Sequence, residues 1–341
     1  MKAMVLKEFG KPLELDEVPI PIIGPNEVLI KVHACGLCGT DLKISSGKIK
    51  GIKTPLIMGH EPAGIVEKVG SEVSNVKPGD TVASALYVTC GICDFCRTNQ
   101  ETLCANFVGR PGFEFDGGFA EYLKLPASNV FKVSNEIPLD HIALLTDCLA
   151  TVWHAIWRKA EPKPGHNVLI MGAGGLGIHA VQFIKMMGVT AIVVDIMKEK
   201  LDLAKKFGAD MVINSKEKDL VDEINRITNN CGVDTVLEFV GTPQTVEKSL
   251  KCLKRGGRVV LIGYAPEASF SVDSMDIVLS EKNIMGSRAN TKQDLVETIR
   301  FLEQDKIIPA ITDYYKLEEV NTALDDLKNN KILGRAIVGI V

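Results

Sequence analysis

The second half of the chain alternates continuous apolar runs with longer amphipathic runs, and this alternation restricts the fold more than any other feature. The segments KEKLDLAKKFGA and DLVDEINRIT have a helical pattern, and they separate the Val/Ile-rich runs NVLIMG, AIVVD, MVIN, VDTVLEFVG and RVVLIG. Strands that are apolar on both sides are typical of a parallel sheet with helices on both faces. The pattern therefore predicts a doubly wound α/β domain, which we assign to residues 149–288.

A glycine-rich turn follows the first of these predicted strands. The segment NVLIMGAGGLGIHAVQ places Gly172, Gly174 and Gly177 between a buried strand and a helix. In that context the first glycine permits a tight turn, the second lets the backbone approach a pyrophosphate, and the third lets helix pack on strand. The N–H groups at the start of the helix then face the phosphates. We predict a Rossmann domain in which Gly172, Gly174, Gly175, Leu176 and Gly177 contact a dinucleotide.

Asp195 ends the second predicted strand and determines which dinucleotide we expect. A carboxylate at this position accepts hydrogen bonds from the adenosine ribose hydroxyls of NAD and repels the 2′-phosphate of NADP. NAD is therefore the predicted cofactor. Lys198 or Lys200 could still accommodate a phosphate, and we include Lys200 among the cofactor-binding candidates.

The first half of the chain has a different pattern. EVLIKVHAC, AGIVEKVG, DTVASAL and GFAEYLKL read as short strands, with KPGD and DGG as turns between them. A chain of 341 residues exceeds the size at which one hydrophobic core stops growing, so two domains are expected. We predict an all-β, barrel-like domain over residues 1–148. The final run GRAIVGIV is expected to return to this domain, which adds residues 289–341 to it.

Four cysteines lie close together in a lobe at about residues 88–106. The gaps in CGICDFCRTNQETLC allow four thiolates to surround one ion tetrahedrally. Four sulfur ligands with no open position are typical of structural zinc. A disulfide cluster is the alternative, and it is disfavoured because the N-terminal segment lacks the apolar core of a signal peptide. We therefore expect a cytoplasmic protein with one structural zinc held by Cys90, Cys93, Cys96 and Cys104.

The charge balance excludes some partners. A net charge of −4 and a pI near 5.9 give no electrostatic reason to expect nucleic acid or an anionic membrane as a partner. No apolar run approaches the length of a membrane span. A small molecule is the expected partner.

A second metal site is predicted from two glycine-flanked segments. GLCGTD contains Cys38, and GHEPAG contains His60. Both residues are zinc ligands in proteins, and polar Thr40, Asp41 and Glu61 stand beside them. A catalytic zinc takes three protein ligands and leaves one position open.

In this order GLCGTD, GHEPAGIVEKVG, the four-cysteine lobe, GGFAEY and GAGGLG resemble the zinc-dependent medium-chain alcohol dehydrogenases. The resemblance implies a GroES-like β-barrel catalytic domain, a Rossmann domain, and a cleft between them that holds the catalytic zinc. It also implies a homo-oligomer, and the short chain favours a tetramer over a dimer.

The resemblance further implies the remaining ligands. The family's third ligand lies at the start of the helix that enters the cofactor domain, which in ALLTDCLATVWHAI is Asp147. The alternative is that Asp147 only caps or lines the helix and Cys148 coordinates. Glu61 is expected either to accept a hydrogen bond near the metal or to bind it transiently while water and substrate exchange.

The resemblance implies an activity as well: the zinc acidifies an alcohol, which gives a hydride to NAD and becomes an aldehyde or ketone. Thr40 matches the family residue that passes on the released proton. Lys43 stands where many members have a histidine, so it either accepts the proton, binds the ribose or is a solvated lysine. The expected content is two zinc ions per subunit, one catalytic and one structural. Alternatives are a polyol or amino-alcohol dehydrogenase, a zinc-free quinone or enoyl reductase, and a catalytically silent NAD-binding protein.

Overall fold

The computed structural model describes residues 1–266 and 268–340 of the chain. The chain forms two compact units. The first unit comprises Met1–Ala150 together with Ala289–Val341, and the second comprises Thr151–Arg288. Within the described residues, no helix has both the length and the apolar character needed to cross a membrane.

The strands are short and are distributed over both units. In chain order they are β1 (Lys2–Leu6), β2 (Glu14–Glu17), β3 (Glu27–Leu37), β4 (Leu56–Ile57), β5 (Glu61–Val69), β6 (Thr81–Ser84), β7 (Tyr122–Pro126), β8 (Val130–Lys132), β9 (Asn167–Met171), β10 (Thr190–Asp195), β11 (Met211–Asn214), β12 (Val233–Glu238), β13 (Leu253–Leu261), β14 (Asn283–Gly286), β15 (Ile311–Lys316) and β16 (Arg335–Gly339).

The α-helices are concentrated in the second unit and near the C-terminus. In chain order they are α1 (Gly39–Ser45), α2 (Asp94–Arg97), α3 (Leu139–Ala143), α4 (Ala150–His154), α5 (Gly175–Met186), α6 (Lys198–Lys206), α7 (Leu220–Ile227), α8 (Pro243–Cys252), α9 (Ser274–Leu279), α10 (Lys292–Glu303) and α11 (Val320–Lys328). Short 3₁₀ turns span Glu101–Leu103, Ala127–Asn129 and Leu317–Glu319, and π-helical turns span Leu145–Leu149 and Ala155–Ala160.

The second unit is built on a six-stranded sheet. Its strand order is β11-β10-β9-β12-β13-β14, and every adjacent pair is parallel. Val168, Ile170 and Val236 in its central strands are fully buried, as a sheet covered on both faces requires. The predicted Rossmann-type parallel sheet is confirmed. The strand order reverses between β9 and β12, which is where such sheets bind their ligands.

The glycine-rich turn of this unit depends on the absence of side chains. Gly172 has φ +96°, a conformation that glycine adopts at little cost. A Cβ on Gly177 would lie 1.9 Å from the Gly172 carbonyl oxygen. The start of α5 can therefore approach the end of β9 only because position 177 is glycine.

The first unit is rich in antiparallel strands. One sheet has the order β2-β1-β4, and a larger one has the order β15-β16-β3-β5-β6-β8, with β7 also paired to β3. The C-terminal strand β16 runs antiparallel beside β3. Across residues 1–266 and 268–340 no pairing joins β8 to β15, so the strand pairings do not by themselves establish a closed barrel. Buried apolar side chains such as Leu37, Met58 and Phe119 form the core beside α1 and β16.

The stretch from α3 to Ala160 is an irregular helical segment. Within it, Leu145–Leu149 is a π-helical turn in which the Leu149 N–H donates to the Leu144 carbonyl across 2.8 Å. Single π turns inside helices frequently occur at functional sites. This turn carries Asp147.

Candidate functional site

Four buried polar side chains from three separate segments of the first unit converge on one point. Cys38 directly precedes α1, His60 and Glu61 stand at the start of β5, and Asp147 lies in the π-helical turn. One potential ligand atom from each lies within 4.8 Å of the others. The structure thus brings together the four residues that the sequence analysis proposed for the second metal site.

The Asp147 carboxylate lies near two of the other three side chains. Its Oδ2 lies 3.9 Å from Cys38 Sγ and 3.7 Å from His60 Nε2. Glu61 Oε1 is 4.0 Å from the same histidine nitrogen. Cys148, the alternative ligand, is also buried but is not a member of this cluster of ligand atoms.

A fifth residue, Asp41, contacts two of these residues. It is fully buried at the start of α1, and its Oδ1 lies 3.1 Å from His60 Nδ1. Its Oδ2 accepts a hydrogen bond from the Cys38 backbone N–H at 2.9 Å. A carboxylate on one ring nitrogen of a histidine fixes the tautomer and turns the other nitrogen toward a ligand. In the sequence Asp41 stands out only as a polar neighbour of Cys38, although its position three residues after Cys38, at the start of a helix, was a usable signal.

The environment of His60 Nε2, the other ring nitrogen, shows whether a metal would fit the site. His60 Nε2 is buried and has no hydrogen-bond partner among the residues that the structure describes. A buried polar atom without a partner costs free energy and requires an explanation. A thiol, an imidazole nitrogen and a carboxylate facing one point are a zinc ligand set, and a zinc ion would satisfy this nitrogen.

The charged groups of the site change the pKa of His60. Burial lowers the pKa of His60, but the Asp41 carboxylate and the nearby side chains of Asp147 and Cys38 raise it, and the net pKa lies well above its usual value. The surroundings therefore favour a positive charge at this position. A bound cation would supply that charge in place of the proton.

Arg335 is a component of the site that the sequence analysis missed. It lies on β16, is buried, and contacts both carboxylate oxygens of Glu61 through Nη2. Burial raises the pKa of Glu61 to about 7, against the opposing effect of Arg335. An arginine within the apolar run GRAIVGIV was the available signal, because an unpaired arginine is rarely buried.

The two residues that were predicted to move protons both lie on α1. Thr40 Oγ1 is 3.7 Å from Cys38 Sγ. Lys43 is half-buried on the same helix, and burial lowers the pKa of its amine.

The four-cysteine lobe forms a second cluster. The Sγ–Sγ distances are 3.5 Å for Cys93–Cys96, 3.6 Å for Cys90–Cys104, and 3.9 Å for both Cys90–Cys96 and Cys93–Cys104. All four thiols are free, which excludes the disulfide alternative in this structure. A tetrahedron with Zn–S bonds of about 2.3 Å has edges of about 3.8 Å, so this cluster fits zinc. Backbone N–H groups lower the pKa of Cys90 to about 6, which favours the thiolate that metal binding needs.

The predicted dinucleotide residues lie at the carboxyl edge of the sheet in the second unit. Gly174 caps α5, which begins at Gly175. Asp195 Oδ2 accepts a hydrogen bond from the Ala173 N–H at 2.8 Å, and its Oδ1 accepts from the N–H groups of Ile196 and Met197 at 2.7 and 2.9 Å. Asp195 therefore holds the glycine turn in place. Lys200 lies on α6, and no hydrogen bond of the described residues joins it to that turn.

Two family models match separate parts of the chain. Residues 24–135 match the alcohol dehydrogenase GroES-like domain, and residues 175–304 match the zinc-binding dehydrogenase domain. The first match contains Cys38, His60 and the four-cysteine lobe, and the second begins in the glycine turn. The expected GroES-like domain is confirmed by the first match.

Known proteins are similar to the chain over its full length. It is 38% identical to an alcohol dehydrogenase of Geobacillus stearothermophilus, with 100% of both chains covered. It is 36% identical to an NAD-dependent alcohol dehydrogenase of Sulfurisphaera tokodaii, with 99% of each covered. The solved alcohol dehydrogenase of Aeropyrum pernix superposes with a TM-score of 0.93 at 33% identity, covering 99% of this chain and 100% of that one. The chain therefore belongs to the zinc-type medium-chain alcohol dehydrogenase family.

Proposed function

We propose that this protein is a zinc-dependent oxidoreductase that interconverts alcohols with aldehydes or ketones and uses NAD as the hydride carrier. The observation that carries this proposal is the buried convergence of Cys38, His60 and Asp147 around a histidine nitrogen that has no partner within the described chain. The similarity to an NAD-dependent alcohol dehydrogenase supports the choice of reaction and cofactor. We assign catalysis to residues 1–148 and 289–341 and cofactor binding to residues 149–288.

Cys38, His60 and Asp147 would hold the catalytic zinc. When bound, the zinc supplies a Lewis acid for the substrate oxygen, and NAD supplies the hydride acceptor. His60 offers Nε2 because its Nδ1 is engaged by Asp41. Glu61 would approach the metal during ligand exchange, and the 4.0 Å distance from its Oε1 to that Nε2 supports this role.

Thr40 and Lys43 would carry the proton that an alcohol loses. Thr40 Oγ1 is 3.7 Å from a zinc ligand, Cys38 Sγ, and can accept a hydrogen bond from the substrate hydroxyl. Lys43 lies one helical turn further along α1. Because burial lowers the pKa of its amine, Lys43 holds its own proton less tightly than an ordinary lysine and exchanges protons more readily.

The four-cysteine lobe would hold the second, structural zinc. Cys90, Cys93, Cys96 and Cys104 would supply all four ligands and leave no open position for a substrate. The role of this ion is therefore to fold the lobe. Cysteines that bind metal in place of forming disulfides are typical of a reducing compartment, which supports a cytoplasmic location.

The glycine turn and Asp195 would bind NAD. The backbone from Gly172 to Gly177, including Gly174, Gly175 and Leu176, leads into the N-terminus of α5, where N–H groups can face a pyrophosphate. The Asp195 carboxylate keeps acceptor capacity for ribose hydroxyls beyond its three backbone hydrogen bonds. Lys200 would stand at the margin of the adenosine site.

A homotetramer is the proposed assembly, and the edge of the second unit supports self-association. Strand β14 ends the six-stranded sheet, and three of its four residues are exposed. Helix α9 precedes it in the chain and exposes Met275, Val278 and Leu279 by 65%, 71% and 68%. An unpaired strand edge together with exposed apolar side chains is typical of an interface between subunits.

Replacing Cys38 with serine should lower turnover of alcohols by more than about 100-fold, since even changes to residues behind the metal ligands cost 10- to 100-fold. The affinity for NAD should stay close to that of the wild type, because the glycine turn and Asp195 lie in the other unit. Turnover is measured over a panel of alcohols, and NAD binding by calorimetry. The exposed Cys231, changed to serine, is the matched control and should keep full activity. A Cys38→Ser enzyme with near-normal turnover would refute the ligand role.

Replacing Asp195 with alanine should raise the efficiency with NADP relative to NAD by about tenfold, because a charge that repels the 2′-phosphate is lost. The measurement is the ratio of kcat/KM for the two cofactors, which separates cofactor selection from any general loosening of the turn. Asp202→Ala removes an exposed carboxylate from α6 and serves as the control. An unchanged ratio would show that Asp195 does not select the cofactor.

Light scattering of the wild type should give four times the 37.1 kDa mass of one chain. Val278→Glu places a charge on the exposed face of α9 and should reduce that mass, because burying an unpaired charge in an interface is costly. Ile22→Glu changes a side chain that is 88% exposed on the first unit and should leave the mass unchanged. A wild-type mass equal to one chain would contradict the proposed assembly.

A further inference from the structure

A buried carboxylate ends β12. This strand lies on the other side of the reversal in strand order from β9, which leads into the glycine turn. Glu238 is the last residue of β12 and is fully buried. Its Oε1 accepts hydrogen bonds from the N–H groups of Val240 and Gly241, each at 2.9 Å, and from Thr245 Oγ1 at 3.2 Å. Its Oε2 accepts from Ser249 Oγ at 2.8 Å. The carboxylate thus has four donors around it.

These contacts are built for the ionised form of Glu238. The two backbone N–H groups on Oε1 can only donate, and donors of this kind favour the ionised form of a carboxyl group. Burial raises the pKa of Glu238, and the four hydrogen bonds oppose that rise. No lysine, arginine or histidine of the described chain forms an ion pair with this residue. A charge on Glu238 would therefore be balanced by hydrogen bonds and not by a cation.

The carboxylate also sets the position of a loop at this edge. The Gly241 backbone packs so closely on the end of β13 that a Cβ there would lie 2.3 Å from the Gly263 carbonyl group. On the other side, the Val240 side chain would lie 2.8 Å from a Cβ on Gly172. Loop 239–242 therefore lies between the glycine turn and the end of β13. Glu238 holds it there by accepting the N–H groups of Val240 and Gly241.

The topology indicates which half of a dinucleotide passes this loop. Asp195 ends β10, on one side of the reversal in strand order, and β12 and β13 lie on the other side. A dinucleotide binds across such a reversal, so that its adenosine half lies toward Asp195 and its other half toward β12 and β13. This step rests on the proposed NAD function. Under that function the nicotinamide half is the one nearer to Glu238.

We infer that Glu238 sets the balance between the two redox forms of the cofactor: its fixed negative charge favours binding of NAD⁺ over binding of NADH. The oxidised nicotinamide ring carries one positive charge, and the reduced ring carries none. A negative charge at this edge of the sheet therefore lowers the free energy of bound NAD⁺ more than that of bound NADH. Glu238 lies behind loop 239–242 and does not touch the reacting atoms. It acts on the nicotinamide ring through the electric field of its carboxylate.

The test compares the dissociation constants of NAD⁺, NADH and ADP-ribose for the zinc-loaded wild type and for Glu238→Gln. Loss of the charge should raise the ratio Kd(NAD⁺)/Kd(NADH) by about three- to tenfold, as expected for one unit charge acting through a partly hydrated edge. ADP-ribose lacks the nicotinamide ring, so its Kd should change only in step with that of NADH. A purely structural role would change all three constants together and leave the ratio alone.

Two control variants separate charge from packing. Ser249→Ala removes one donor but keeps the carboxylate, and Asp222→Asn removes an exposed charge from α7; neither should change the ratio. If the Gln variant does not fold, Glu238→Met supplies a neutral side chain of similar length and should raise the ratio in the same way.

An unchanged ratio in a folded, neutral variant at position 238 would overturn the inference while leaving the dehydrogenase function intact. If the wild type binds none of the three ligands, the proposed function is overturned, and the inference with it.

Discussion

The proposed catalytic centre depends on one buried carboxylate. Asp41 accepts the Cys38 N–H through one oxygen and contacts His60 Nδ1 through the other, so it fixes two proposed ligands from different segments at once. The strand register makes this contact possible, because Gly36 at the end of β3 lies opposite Glu61 at the start of β5. Cys38 and His60 are then the residues just beyond the paired ends. The π-helical turn adds Asp147, which lies far from both in sequence.

The features that the sequence predicts are those formed by residues close together in the chain. The parallel sheet follows from the spacing of apolar runs, the cysteine lobe from four residues close in sequence, and the glycine turn from a strand and a helix that flank it. Cys38 and His60 were found because each stands between glycines in a distinctive segment. Arg335 could not be found in this way, because its contact with Glu61 joins residues 274 positions apart and depends on how β16 and β5 lie beside β3. The roles of Lys43 and Lys200 stay predictions.

Two carboxylates at the edge of the parallel sheet have the same backbone contacts but differ in exposure to solvent. Asp195 and Glu238 each end a strand and each accept backbone N–H groups from the loop that follows. Asp195 is half-exposed and keeps capacity for a ligand, whereas Glu238 is fully buried and has only protein donors. Under the proposed function, the first would contact the cofactor directly. The second is placed to act on it only through charge and through the loop it supports.

Zinc content combined with zinc-edge X-ray absorption tests the central claim most directly, because it reports the number of ions and the elements bound to them. The account predicts two zinc ions per chain. One should have four sulfur neighbours at about 2.3 Å, and the other should have one sulfur together with nitrogen and oxygen neighbours at about 2.0–2.2 Å. A single zinc with an all-sulfur shell, in a protein that still oxidises alcohols, would show that Cys38, His60 and Asp147 do not hold the catalytic metal.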